Sequence, residues 1–323
     1  MLDFSIDLHL HFDGSLSLST VKNLASEQGI DLPDDERLLE MLSVGEECSS
    51  LSEYLEKFDF PLSLLQNERA IESGMRMLCK ELVAEGCIYA EIRFAPQLHT
   101  QKGLTQEQVL ASAIKGFESS GLCGGLILCC MRGKDNTKEN LLTVDIGAEN
   151  LDKGVLAVDL AGDEKGFPTK DFEILFELAK ERGVPFTIHA GEADGANSVR
   201  RAIEMGASRI GHGVRSLEDD SVIKLLVDKK IPLELCPTSN VNTAIFSNIS
   251  EYPIRTLMDK GVIVTVNSDN RSVSATTAKR DMELVGRAFG FSEAEKRQLL
   301  LNSIQAAFCD EQTKNKLIKK VSH

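Results

Sequence analysis

The chain has 323 residues, of which 42% are hydrophobic and 27% are charged, and its formal net charge at pH 7 is −14. This composition is typical of a globular protein, and the length is sufficient for one large hydrophobic core. The acidic balance argues against nucleic acid or an anionic membrane as a partner, because phosphate binding depends mainly on Lys and Arg side chains.

The cysteines and the amino-terminal residues bear on where the protein resides. Eight cysteines occur without a CxxC pair, and most lie in apolar stretches such as LILCC (126–130), so we expect buried thiols in a reducing compartment. Residues 1–15 show neither a basic segment nor a small-residue cleavage site, and no apolar run approaches the roughly 20 residues that span a bilayer. We therefore expect a cytoplasmic protein.

Short apolar runs that are rich in Val and Ile recur along the chain. Continuous apolarity of this kind predicts parallel strands that are buried on both faces. In chain order, the eight predicted strands cover 4–10, 87–95, 124–131, 154–161, 184–190, 208–213, 231–237 and 261–268.

Amphipathic helices are predicted between the strands, most clearly over 171–183, 196–206, 217–229 and 252–261. The alternation of eight strands with helices favours an α/β fold of the (β/α)8 TIM-barrel class, and a doubly wound open sheet is the alternative. The longest gap, 16–86, predicts a helical insertion after the first strand, including helical sequence over 61–86. Residues 292–320 predict closing helices, and we interpret 1–323 as a single domain.

Residues with metal-binding or catalytic chemistry fall at the ends of the predicted strands. His9 and His11 end the first run, His189 the fifth and His212 the sixth, and Asp269 follows the eighth. In a barrel, all strand carboxyl ends meet at one rim, where active sites lie. Residues i and i+2 of a strand point to the same face, so His9 and His11 are directed at one point. This clustering predicts a functional site and disfavours isolated core histidines.

Imidazole and carboxylate groups are typical zinc ligands. Three of the strand-end histidines with Asp269 would leave a coordination position for water, whose pKa falls toward about 7 on the metal. We therefore predict one Zn²⁺ per chain, with Fe, Co and Mn as alternatives for the same donor set.

Five motifs follow one another along this framework: HLHFDGS (9–15), DLAGDE (159–164), HAGE (189–192), GHG (211–213) and NSD (267–269). Together they resemble the adenosine deaminase family of the amidohydrolase superfamily, from residue 9 to about residue 270. The segment 52–62 is also similar to the helical lid of that family, and 88–96 to its second strand. Each motif alone is weak, but five in order at strand ends are specific.

The resemblance implies hydrolytic deamination of adenosine and 2′-deoxyadenosine to the inosine nucleoside and ammonia, with a zinc-activated hydroxide attacking C6. It implies metal ligation by His9, His11, His189 and Asp269, and catalysis by Glu192, His212 and Asp269. Glu192 protonates purine N1, while His212 and Asp269 orient the water. The implied substrate contacts come from His11, Asp13, Gly162 and Asn270, with Asp13 on the ribose 5′-hydroxyl and Gly162 on N3.

The chemistry of the reaction supports the role of Glu192. Attack at C6 places negative charge on the ring unless N1 receives a proton, and Glu192 lies three residues beyond His189 on the turn that leaves the same strand. A general acid in a dry site needs a raised pKa. The alternative interpretation is an acid that merely stabilises a helix N-terminus.

Two positions depart from the family pattern, which has two adjacent aspartates followed by proline after the eighth strand. Here Asp269 is followed by Asn270 and Arg271. An Asn amide donates a hydrogen bond without first gaining a proton, so we hypothesise that Asn270 recognises the purine N7 acceptor. We interpret Arg271 as facing solvent, and contact with an anionic substituent of the substrate is the alternative.

Two other functions compete with adenosine deamination. One keeps the fold and chemistry but acts on adenine, aminodeoxyfutalosine or a 5′-modified adenosine. The other is a catalytically silent barrel that serves as a binding protein, which the complete candidate ligand set together with Glu192 disfavours. An adenine nucleotide is not expected, because no Gly-rich phosphate loop or basic cluster lies near the motifs.

Overall fold

A computed structural model describes residues 4–45, 48 and 51–322 of the chain. The described residues contain eight strands, and each overlaps one predicted apolar run. They are β1 (Ser5–His11), β2 (Cys87–Phe94), β3 (Gly124–Met131), β4 (Val155–Ala161), β5 (Thr187–Ala190), β6 (Arg209–His212), β7 (Leu233–Leu235) and β8 (Val264–Val266).

The helices of the described residues lie between and after the strands. They are α1 (Leu18–Gln28), α2 (Asp35–Leu42), α3 (Leu51–Leu55), α4 (Asp59–Leu64), α5 (Glu68–Ala84), α6 (Gln106–Glu118), α7 (Thr137–Glu149), α8 (Glu173–Glu181), α9 (Ala196–Met205), α10 (Asp220–Lys229), α11 (Pro237–Asn242), α12 (Ile254–Asp259), α13 (Ala278–Phe289), α14 (Glu293–Ala306) and α15 (Glu311–Ser322). Within residues 4–45, 48 and 51–322, none of them has the length and apolar character of a bilayer crossing.

The insertion after the first strand and the helical carboxyl terminus are as predicted, because α1 to α5 lie between β1 and β2 and α14 and α15 end the chain. The helical sequence over 61–86 is divided between α4 and α5. Asn67 causes the division, since its side chain caps α5 by accepting a hydrogen bond from the Ala70 N–H at 2.9 Å.

Parallel pairing closes the strands into a barrel. β1 to β4 form one four-stranded parallel sheet, and β5 to β8 form a second. Val158 pairs with Phe186 at one junction and Leu10 pairs with Asp269 at the other. At the second junction, the Asp269 N–H donates to His9 O at 2.8 Å and the His11 N–H donates to Asp269 O at 2.7 Å. The TIM-barrel prediction is confirmed, because an open sheet would separate β1 from β8.

The strands of the second sheet, β5 to β8, are shorter than the apolar runs from which they were predicted. The run 231–237 contains the three-residue β7, and 261–268 contains the three-residue β8. Ile231 and Val262 are buried although they precede these strands. An apolar run therefore reports burial in the core, which extends beyond the residues that pair in the ladder.

Most cysteines follow the predicted burial. Cys79, Cys87, Cys129, Cys130 and Cys236 are buried, whereas Cys123 is exposed. Cys123 differs because it lies in the turn that precedes β3 rather than in the strand itself.

The barrel interior contains a network of paired charges. Glu234 accepts hydrogen bonds from Arg209 Nε at 2.6 Å and from Arg93 Nη2 at 2.8 Å, and Arg209 Nη2 donates to Glu91 Oε2 at 2.6 Å. Burial by itself raises the pKa of Glu234, but the guanidinium groups of Arg93 and Arg209 hold it well below its usual range. Because these buried charges are paired, loss of one partner would leave another uncompensated.

The packing of α6 against α5 requires a glycine. A Cβ at Gly116 would lie 2.4 Å from the backbone oxygen of Glu72 and 2.9 Å from Met75 Cβ, whereas a Cβ at Gly286 in α13 would meet only the flexible Lys296 side chain at 3.4 Å. We expect Gly116→Ala to lower the free energy of unfolding by about 1–3 kcal/mol, because the helices must separate.

Gly286→Ala is the matched control, and we expect it to be neutral or to stabilise the protein by up to about 1 kcal/mol through helix propensity. Denaturant unfolding of both variants gives the comparison. Similar free energies of unfolding for the two would contradict this account of the α5–α6 contact.

Candidate active site

Three histidines and one aspartate converge at the carboxyl ends of the strands. His11 Nε2 lies 3.2 Å from His189 Nε2 and 3.4 Å from Asp269 Oδ1, and the same Asp269 oxygen lies 3.5 Å from His9 Nε2. Ligands placed tetrahedrally at about 2.1 Å from an ion are about 3.4 Å apart. The four donor atoms are therefore spaced as metal ligands are.

The unpartnered Nε2 atom and the low pKa of His9 are the properties expected of a metal ligand at this cluster. Its Nε2 atom is buried and has no hydrogen-bond partner among the described residues. Burial lowers the pKa of His9 to about 4, and the positive charges of Arg93 and His189 add to the effect. The ring is therefore neutral, which is the form that ligates a metal.

Two buried carboxylates hold the histidine rings in place. Glu234 Oε2 lies 2.8 Å from His9 Nδ1, and Asp159 Oδ2 lies 2.8 Å from His189 Nδ1. Arg93 donates to both carboxylates, at 2.8 Å to Glu234 and 2.9 Å to Asp159. For His9, the hydrogen bond between Nδ1 and Glu234 fixes the tautomer that leaves Nε2 as an acceptor directed into the cluster. The interior charge network thus orients the candidate ligands.

His212 lies beside the cluster with its Nε2 atom 3.7 Å from Glu192 Oε2 and 3.9 Å from Asp269 Oδ2. Asn240 Nδ2 lies 3.0 Å from His212 Nδ1, and Asn240 Oδ1 accepts a hydrogen bond from the Tyr252 hydroxyl at 3.1 Å. The amide therefore donates to Nδ1, which assigns the proton of the neutral ring to Nε2. His212 presents a donor toward Glu192 and Asp269.

One buried carboxylate holds the turn that carries Glu192. The oxygens of Glu164 accept hydrogen bonds at 2.5–3.0 Å from the Ser198 hydroxyl and from the backbone N–H groups of Gly191, Glu192, Ala193 and Asp194. At the position fixed in this way, burial raises the pKa of Glu192, and the nearby Asp269 charge adds to the rise. Glu192 thus has the raised pKa expected of a general acid.

Both His212 and Asp269 have left-handed backbone conformations, with φ of 59° and 61°. Such angles are unfavourable for residues other than glycine and are found preferentially at functional sites. They turn the chain sharply at the ends of β6 and β8, where both side chains are directed toward the cluster.

A cavity of about 360 Å³ lies over the cluster, within the size range of small-molecule sites. The predicted site residues that line it are His11, Asp13, Gly162, His189, Glu192, His212, Asp269 and Asn270. Tyr54, Leu55, Phe58, Asp59 and Leu62 of the α3–α4 segment also line it. Together with His9 in the cluster, the structure brings all of the predicted site residues to one place.

Asp13 and Gly162 contribute different features to the cavity. Asp13 Oδ1 is buried and has no hydrogen-bond partner among the described residues, and burial raises the pKa of Asp13 to about 6. Gly162 has φ of +105°, a conformation that residues with a Cβ rarely adopt. Asp13 therefore offers an unused polar atom, and a glycine is required at position 162.

The two positions that depart from the family pattern have different surroundings. Asn270 is buried, donates from Nδ2 to Asp269 Oδ1 at 2.8 Å, and lies so close to Gly14 that a Cβ there would be 2.0 Å from Asn270 Oδ1. The solvent-facing prediction for Arg271 is wrong. Arg271 is only 9% exposed, and its Nη2 atom lies 2.5 and 2.6 Å from the two carboxylate oxygens of Glu85. This ion pair satisfies the charge while the aliphatic stem is buried.

Sequence reasoning missed several residues that position the site, among them Glu234, Asn240 and Tyr54. Glu234 did carry a signal, because a charged residue inside a strand buried on both faces requires an internal partner. Asn240 carried none, because its contact with His212 joins residues 28 positions apart on different elements.

Comparisons with known proteins agree with the motifs. A family model described as "Adenosine deaminase" matches residues 5–323. The adenosine deaminase of Haemophilus ducreyi is 46% identical, covering 98% of this chain and 95% of its own, and that of Clostridium botulinum is 38% identical, covering 97% and 95%. The solved structure of an adenine deaminase from Arthrobacter aurescens has a TM-score of 0.90 at 28% identity and covers 99% of this chain and 98% of its own.

Glu164→Gln tests whether the Glu164 carboxylate positions Glu192. The amide nitrogen cannot accept hydrogen bonds, so the turn loses at least one bond and two donors face each other. We expect kcat for adenosine to fall about tenfold while bound metal is unchanged, because only the acid moves. Steady-state kinetics together with metal analysis give the result, and a wild-type kcat would contradict the assignment.

Proposed function

The chain belongs to the adenosine deaminase family, and from the geometry of its site we propose that it hydrolyses adenosine and 2′-deoxyadenosine to the inosine nucleosides and ammonia. One observation carries the proposal: a buried acid with a raised pKa, Glu192, lies with His212 beside a cluster of candidate metal ligands in one cavity. A binding protein without catalysis has no need of such an acid.

We infer that His9, His11, His189 and Asp269 hold one Zn²⁺. Three imidazole nitrogens and a carboxylate oxygen are a typical donor set for this ion, and the carboxylates of Glu234 and Asp159 hold two of the rings. When bound, the ion supplies a water whose pKa is low enough for it to act as a nucleophile near neutral pH.

The side chains around the cavity account for the movement of protons. As the C6–O bond forms, the electron pair of the ring moves to N1, which takes the proton that the raised pKa keeps on Glu192. Asp269 accepts a proton from the attacking water, and His212 donates from Nε2 to the oxygen as negative charge develops on it. Cleavage of the C6–N bond then releases the amino group as ammonia with the proton that Asp269 took from the water. The second water proton leaves the C6 oxygen as the carbonyl of inosine forms, and it restores the acid form of Glu192.

We assign the substrate contacts to His11, Asp13, Gly162 and Asn270. The unpartnered Oδ1 of Asp13 accepts from the ribose 5′-hydroxyl, and the backbone N–H of Gly162 donates to N3. Asn270 donates to N7, since Nδ2 carries two hydrogens and the bond to Asp269 uses one. His11 contacts the substrate at the metal edge of the cavity.

We further propose that 1–323 is one domain and that the 16–86 insertion carries a lid over the substrate. The α3–α4 segment supports the lid assignment, because five of its side chains line the same cavity as the candidate catalytic residues. A lid of this kind excludes water other than the nucleophile from the site.

A nucleoside panel varied at the 5′ position tests the substrate assignment. We expect adenosine and 2′-deoxyadenosine to have kcat/KM values at least about tenfold above those of adenine, 5′-deoxyadenosine and aminodeoxyfutalosine, because only a 5′-hydroxyl satisfies the buried Asp13. Asp13→Ala is the control and should remove the preference for the 5′-hydroxyl. Higher kcat/KM for adenine or a 5′-substituted nucleoside would contradict the assignment.

Glu192→Gln and His9→Ala separate proton transfer from metal retention. Glu192→Gln should keep the zinc content of the wild type and lose kcat by at least about a hundredfold, because an amide cannot protonate N1. His9→Ala should lose metal and activity together. His99→Gln is the control, since His99 is a buried histidine whose Nδ1 atom contacts Leu65 O outside the cluster.

Metal analysis and kinetics of the three variants give the outcome. Loss of zinc from Glu192→Gln would mean that Glu192 is a ligand rather than the acid. A His9→Ala protein with full metal content and full activity would contradict the metal site.

A further inference from the structure

The loop between β8 and α13 (residues 267–277, the β8 loop) carries Asp269 and Asn270 and is hydrogen-bonded to the insertion at two places. At the first, the Val44 N–H and the Ser43 hydroxyl both donate to Val273 O, at 2.9 and 3.1 Å. At the second, the hydroxyl of Tyr54 in α3 lies 2.7 Å from Ser274 Oγ, on the residue next to Val273. The insertion is therefore attached to the loop that carries the site.

The hydroxyl of Tyr54 points into the site. The side chain is 2% exposed and lines the cavity, and its hydroxyl faces Ser239 and Asn270 as well as Ser274. A phenylalanine would fill the same space without a polar atom to satisfy, so the buried hydroxyl indicates a specific contact.

Within the β8 loop, a backbone hydrogen bond joins Ser274 to Asn270. The Ser274 N–H donates to Asn270 O at 2.9 Å, and Asn270 Nδ2 in turn donates to Asp269 Oδ1 at 2.8 Å. The Tyr54 hydroxyl therefore begins a short chain of hydrogen bonds that passes through the loop backbone to the Asn270 amide and a candidate metal ligand.

We propose that Tyr54 is a positioning residue, whose hydroxyl docks α3 on Ser274 and thereby holds the Asn270 amide in the orientation that recognises the N7 edge of the purine. The inference rests on the proposed function for the identity of the substrate. Docking of the lid and recognition of the purine base are then coupled, because the β8 loop carries both Ser274, which contacts Tyr54, and Asn270, which contacts N7.

The test compares adenosine with 7-deazaadenosine, which has a C–H group where adenosine has the N7 acceptor. Tyr54→Phe should lower kcat/KM for adenosine about five- to tenfold, mainly through KM, and that for 7-deazaadenosine less than about twofold. Asn270→Ala should show the same substrate dependence. The double variant should lose little more than Asn270→Ala alone, because the two residues act through one contact.

Tyr89→Phe is the matched control, because it removes another buried tyrosine hydroxyl, which donates to Glu91 at 2.8 Å inside the barrel. It should leave the ratio of the two kcat/KM values unchanged. Equal losses on both substrates for Tyr54→Phe, or additive losses in the double variant, would overturn the proposal and leave Tyr54 a merely structural role.

Hydrogen exchange separates failure of this inference from failure of the proposed function. Without substrate, Tyr54→Phe should speed backbone exchange in 51–64 and 270–276, whereas Tyr89→Phe should not. If the wild-type chain deaminates neither nucleoside, the proposed function fails and the exchange result alone decides whether Tyr54 docks the lid. Unchanged exchange in both segments would overturn the docking.

Discussion

The hydrogen bonds that join Asp269 to the backbone of His9 and His11 close the barrel and assemble the site in the same step. Residues 260 positions apart in the chain become neighbours only because β8 returns beside β1. The left-handed backbone of Asp269 then turns its carboxylate back toward the histidines. A change that weakened this junction would therefore affect the fold and the candidate metal site together.

The charged interior of the barrel depends on the same arrangement. Arg93 lies between Glu234 and Asp159, and each of these carboxylates holds the ring of one histidine. Buried ion pairs contribute little net stability because desolvation offsets their attraction. Their value here is orientation, since the carboxylates contact both rings, and the His9 imidazole presents Nε2 to the cluster without having to select a tautomer when a metal binds.

Much of this arrangement could be predicted from the sequence because the barrel has a simple rule. Apolar runs mark its strands, and polar residues at the ends of the runs mark its rim. His9 and His11 were predictable as a pair from a spacing of two and the closure of the barrel alone. The role of Glu192 was implied by the family resemblance, and its place after His189 and the need to protonate N1 support it.

The remaining features depend on contacts that local sequence does not contain. Arg271 resembles an exposed residue after a strand, yet Glu85, 186 positions away, pairs with it and allows its burial. The contact of Tyr54 with Ser274 spans 220 positions. Such pairs follow from how the insertion packs on the β8 loop, and no periodicity in either segment reports that packing.

The most direct test of the account removes and restores the metal. Protein stripped with a chelator should not deaminate adenosine, and about one equivalent of Zn²⁺ per chain should restore activity. Turnover in water labelled with ¹⁸O should place the label on the oxygen bonded to C6 of inosine, with one ammonia released for each inosine formed. Deamination that survives complete removal of metal would contradict the account.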